Sequence, residues 1–75
     1  MIEVNLTVNT NRHPHIVDEN QTIREFFEEK GVDYSLGTTN LDGSTLMPGD
    51  MDRSFSELGI TEKCYLTNIA KVDNA

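Results

Sequence analysis

The sequence predicts an α+β domain in which a mixed four- to five-stranded sheet packs on one helix. Three observations carry that expectation. Ile2, Val4, Leu6 and Val8 alternate with Glu3, Asn5, Thr7 and Asn9, the period of a strand with one buried face. The segment from Thr22 to Gly31 instead spaces its apolar residues as a helix does, between a start and a stop signal. After it, short strand-like runs return, divided by strong turn sequences.

Taken in order, the opening strand is followed by Asn9-Thr10-Asn11, a turn signal because Asn tolerates left-handed dihedrals. A second strand over 12–18 completes a hairpin. Pro14 within it cannot donate to a ladder, which places this strand at a sheet edge. Thr22-Ile23-Arg24-Glu25 matches the capping box. Ile23, Phe26, Phe27 and the aliphatic stem of Lys30 form the buried stripe of a helix over 22–30, and Gly31 stops it. So short a helix draws its stability from seating its two phenylalanines on the sheet.

Val32, Tyr34 and Leu36 restart the period of two, which resumes through Thr38–Leu41 after Gly37. Asp42-Gly43 is a hairpin turn leading into Ser44-Thr45-Leu46. Met47-Pro48-Gly49-Asp50 reads as a type II turn. Ser54–Gly59 suggests one helical turn, with Phe55, Leu58 and Ile60 closing the bottom of the core. A last strand runs from Lys63 to Val72. The expectation is a single domain over 1–75, with the last strand parallel to the first.

Val17 followed by Thr22-Ile23 resembles the lead-in to the ubiquitin helix. Phe55-Ser56-Glu57-Leu58-Gly59-Ile60-Thr61 is similar to the segment that precedes the final ubiquitin strand. On these residues the chain resembles ubiquitin-like β-grasp proteins. In size and in that ending it is most similar to the small bacterial ubiquitin-like proteins associated with type VII secretion loci. The resemblance covers nearly the whole chain and rests on pattern more than on identity. Sulfur carriers and protein modifiers of this fold act through a terminal Gly-Gly that is adenylated and then thioesterified. This sequence ends Val72-Asp73-Asn74-Ala75, so conjugation and sulfur transfer are disfavoured unless a longer precursor is trimmed.

Composition narrows the function classes. Leu, Ile, Val and Phe make up 19 of 75 residues, above the level of a disordered chain. Thirteen acids against six bases give a net charge of −7, which suits neither nucleic acid nor anionic lipid, because both are bound through Lys/Arg contacts with phosphate. The acidic surface would steer a basic partner. A lone cysteine, Cys64, excludes an internal disulfide and a Cys-rich metal site, and fits a reducing, cytoplasmic setting.

Candidate chemistry is sparse. His13 and His15 share a strand face, but two histidines are too few for a zinc site, and the alignment through Val17 makes them packing residues near the rim of the inner face. Cys64 lacks a basic cluster in sequence and reads as a small hydrophobe. Asp42, Asp50 and Asp52 do not have EF-hand spacing, and Glu25, Glu28 and Glu29 read as the wet side of the helix. We therefore expect no enzyme, no cofactor and no metal. If Leu66 faces the helix, then Tyr65, Thr67 and Ile69 face outward on the surface that, by the resemblance, is the usual docking face of ubiquitin; the opposite register would bury Tyr65 and Ile69. The expected role is a protein-interaction module for a protein of unknown identity, monomeric or weakly dimeric. The resemblance implies an accessory component of a bacterial secretion or mobile-element system as its setting.

Overall fold

A computed structural model describes residues 1–70. Within them the elements are β1 (Ile2–Val8), β2 (Asn11–Val17), α1 (Ile23–Lys30), β3 (Gly37–Leu41), β4 (Ser44–Thr45) and β5 (Lys63–Ala70), with 3₁₀ turns at Tyr34–Leu36 and Pro48–Asp52. These strands form one sheet in the order β2-β1-β5-β3-β4. The pairing β1–β5 is parallel, from Glu3 opposite Lys63 to Val8 opposite Asn68. The others, β1–β2, β3–β4 and β3–β5, are antiparallel. The expected side-by-side first and last strands are therefore present, at the centre of the sheet. β2, with Pro14, is an edge strand as its sequence requires. Val72 and the Asp73-Asn74-Ala75 terminus lie outside the described residues.

α1 lies across one face because its sequence leaves it nothing else to do with its rings. Thr22 Oγ1 accepts from Glu25 N at 3.1 Å, and Glu25 Oε1 accepts from Thr22 N at 3.1 Å, the reciprocal capping box. At the other end Gly31 adopts φ +69°, and Val32 N donates back to Phe27 O at 2.9 Å. Between these caps Ile23, Phe26 and Phe27 are fully buried against Ile2, Val4, Leu6, Val17, Leu41, Cys64 and Leu66 of the sheet. Phe55 joins them edge-on to Phe26, with ring centroids 5.7 Å apart.

Two local expectations are corrected. Tyr34 and Leu36 do not start a strand. Asp33 accepts from Ser35 N at 3.1 Å, which winds 34–36 into a 3₁₀ turn, and β3 begins only at Gly37. Nor is 47–50 a type II turn. Gly49 is not among the described residues with positive φ, as that turn demands of its third position, and Asp50 Oδ2 accepts from Met47 N at 3.0 Å while the chain winds on to Asp52. That winding buries Met51 in the core, a contribution unforeseen from sequence. The turn at 54–59 is helical in hydrogen bonding: Leu58 N donates to Ser54 O at 3.1 Å, and Gly59 ends it at φ +87°. Phe55 is fully buried, with Leu58 and Ile60 partly buried against the core. Asp42 and Gly43 both take positive φ, the type I′ geometry that fits a two-residue hairpin.

Candidate interaction surface

The register of β5 decides which side chains meet solvent. Cys64, Leu66 and Asn68 point under α1, and Leu66 is completely buried. Tyr65, Thr67 and Ile69 therefore point outward, Tyr65 45% and Ile69 54% exposed. The alternation could not settle this from sequence, because Asn68 occupies the inner face and Ile69 the outer. Asn68 is tolerated inside because its Nδ2 donates to Thr39 Oγ1 at 3.0 Å and to Tyr34 O at 3.3 Å.

Tyr65 sits beside Asn5 of β1, Thr67 between Thr7 of β1 and Asn40 of β3, and Ile69 beside Thr38 of β3. The backbone of Tyr65 is fixed by the β3–β4 turn: Tyr65 N donates to Asp42 Oδ1 and Asp42 N to Tyr65 O, each at 2.8 Å. Two cations flank the ring. Arg12 of β2 lies 5.8 Å and Lys63 of β5 5.3 Å from its centroid, both within cation–π reach. Hydrogen bonding to Tyr65, with attraction to that ring's hydroxyl and to Glu3, raises the Lys63 ammonium above its ordinary pKa. At the β2 edge Ile16, opposite Glu3, is 70% exposed on the same face. Sequence reasoning missed Ile16, although counting back by one from the buried Val17 would have placed it outward.

Of the other candidates, all but the exposed His13 fall into structural roles. His15 is half-buried, its ring edge-on to Phe26 at 5.7 Å, and desolvation, then Lys30 and His13, lower its pKa. His13 shares that inner face, opposite Leu6, but is exposed. Among the described residues no three His, Cys, Asp or Glu side chains gather as a metal site would need. Asp50 faces Arg53 at 3.8 Å and Asp52 pairs with Arg24 at 2.9 Å, so with Asp42 on Tyr65 each candidate carboxylate is engaged separately. Burial, reinforced by Asp42, pushes the Cys64 thiol up to about 12, far from a usable nucleophile at neutral pH.

Two of the clefts among the described residues bear on the choice of site. One of about 430 Å³ runs between α1 and β2 over Ile16, Asp18, Glu25, Phe26 and Glu29. Its carboxylates serve the fold: Glu25 closes the capping box, and Glu29 accepts from Gln21 Nε2 at 2.8 Å and lies 3.6 Å from Lys30. The other, about 400 Å³, lies between Tyr34, Gly37 and Thr39 on one side and Leu46, Pro48 and Met51 on the other, and among the described residues its lining carries no carboxylate, base or thiol. No helix among the described residues is long and apolar enough to cross a membrane.

Comparison with known proteins gives the fold its name. No family model matches the chain, and no curated protein matches it. Among solved structures, a ubiquitin-like domain of an Arabidopsis thaliana protein superposes with a TM-score of 0.74 at 20% identity, covering 99% of this chain and 81% of that one. A computationally designed protein based on the template of human erythrocytic ubiquitin gives 0.67 at 23% identity, covering 100% and 98%. The chain has the ubiquitin-like β-grasp fold.

Proposed function

We propose that this chain is a non-enzymatic protein-interaction module that holds a protein partner on the outer face of its sheet, around Tyr65, Thr67 and Ile69. One observation carries the reading: Tyr65 and Ile69 stand exposed on a single strand at the middle of the sheet, on the face opposite α1, while Glu25, Asp52 and Cys64 are spent on a cap, an ion pair and core packing. The ubiquitin-like fold supports an interaction or modifier-like module of this size. From the resemblance of 55–61, an accessory role in a bacterial secretion or mobile-element system is the setting we propose, and gene neighbours test it.

The deciding experiment is capture from native lysate with the wild-type chain and with Tyr65→Ala/Ile69→Ala, both checked for native circular dichroism. Loss of most captured partner in the double variant supports the reading, because truncating anchors at the centre of an interface costs about 2 kcal/mol or more each. Equal recovery removes the outer face from it. Intact mass spectrometry of the native protein separates the modifier alternative: a thiocarboxylate, a terminus processed to glycine or a covalent adduct would replace the present proposal.

A further inference from the structure

We propose that the Tyr65 patch selects an acidic segment of a protein partner, with an apolar side chain on the tyrosine ring and carboxylates on Arg12 and Lys63. The inference rests on the reading of the outer face as a docking surface, and it adds the chemistry of what docks there.

The distribution of ion pairs carries it. Of the side-chain cations among the described residues, Arg24, Lys30 and Arg53 each lie within ion-pair distance of a carboxylate, at 2.9, 3.6 and 3.8 Å. Arg12 and Lys63 have no carboxylate at that distance among the described residues, in a chain with 13 acids. They converge instead on one ring, Arg12 from the edge strand and Lys63 from the central one, and Arg12 is close enough to oppose the charge of Lys63. Among the outward-facing strand residues the acid of this patch is Glu3, in register with Lys63, and its Oε2 is occupied by Asn5 Nδ2 at 3.0 Å. Asp42 is the second acid beside the ring, its Oδ1 accepting from Tyr65 N at 2.8 Å. Among the described residues two positive and two negative charges thus meet here, each acid already holding a hydrogen bond and neither cation a carboxylate, on a molecule whose total is −7.

The two scales of charge select opposite partners. At long range the net charge draws basic molecules, but that field is screened within about 8 Å at physiological ionic strength. At contact the patch decides. A carboxylate relieves the mutual repulsion of Arg12 and Lys63 and accepts charge-assisted hydrogen bonds from them. A lysine or arginine placed there adds a third like charge, and such juxtapositions suppress wrong partners.

The test is an amide chemical-shift titration of the isotope-labelled chain with two decapeptides. Each has a central Leu-Ile pair, flanked by Glu in one and by Lys in the other. The Glu-flanked peptide should shift the amides of Arg12, Tyr65, Thr67 and Ile69, and weaken about tenfold between roughly 0.05 and 0.5 M salt. Arg12→Glu/Lys63→Glu should invert the preference, and Arg12→Gln/Lys63→Gln should abolish it while leaving the spectrum native. Equal or tighter binding of the Lys-flanked peptide at this patch overturns the proposal, as does a Glu-flanked peptide that shifts another surface or none. In the lysate capture, a partner lost by Tyr65→Ala/Ile69→Ala but retained by Arg12→Glu/Lys63→Glu leaves the docking face standing and sinks its acidic preference. A partner retained by both variants sinks the docking face itself.

Discussion

Phe26 is the residue at which helix, sheet and loop meet. It has no exposed surface; its ring lies edge-on to Phe55 and to His15, each at 5.7 Å, and tilted on Phe27 at 6.0 Å. Phe26→Ala should therefore cost about 3–5 kcal/mol, measured as a fall in the urea midpoint, because these three rings would line the cavity left behind. A loss below about 1 kcal/mol would contradict this packing. Cys64 makes a complementary case. With its thiol pushed up to about 12 and only 1% exposed, it should resist iodoacetamide at pH 8 in the native state and react at an ordinary rate in urea. Rapid native alkylation would show that β5 opens locally. Both residues were legible in sequence, since large or sulfur-bearing apolar side chains on the right period have few alternatives to burial. Asn68 was not, because a buried amide depends on Tyr34 O and Thr39 Oγ1, partners far away in the chain.

At the scale of elements, the parts whose signals are local were read correctly. Thr22, Glu25 and Gly31 set the limits of α1 through contacts within four residues, and Pro14 places β2 at an edge through a missing donor. Thr22→Ala should cost about 1 kcal/mol in the urea midpoint, since Glu25 N loses its acceptor. Thr22→Ser should retain most of that stability, which separates the cap bond from any loss of packing. Gly31→Ala should also destabilise, by about 1 kcal/mol, through its left-handed φ alone, as open space surrounds the position of the added methyl. The misread segments had local signals that favoured two outcomes. Tyr34-Ser35-Leu36 fits a strand by its alternation, but is held as a 3₁₀ turn by Asp33. Pro48-Gly49 fits type II, but yields to the Asp50 cap and the burial of Met51. The outward set on β5 was likewise open, because Lys63–Ala70 carries apolar residues on both faces and only the pairing with β1 and β3 selects one.

For the whole molecule, the stability profile against pH follows from groups the fold has shifted. His15 is partly buried beside Lys30 and His13, so its folded pKa lies below the ordinary 6.5. The unfolded chain then binds more protons, and stability must fall as pH drops from above 6.5 through the depressed folded value. Glu29, stabilised as an anion by Gln21 and Lys30, and Glu57, stabilised by the backbone and hydroxyl of Ser54, are depressed below 4.5. They add losses of the same sign at lower pH. The N-terminal ammonium has the opposite sense: its bond to Glu19 raises it above 8.0, and that contribution disappears as pH rises through the raised value. Stability should thus be greatest between about pH 7 and 8 and decline on both sides. Urea midpoints across pH 5 to 9 check this, with His15→Asn as the decisive control. That variant will lose some packing on Phe26 at every pH, but its slope between pH 7 and 5 should flatten. A wild-type midpoint that climbs on acidification over that interval would mean that relief of the −7 self-repulsion outweighs the protonation of His15.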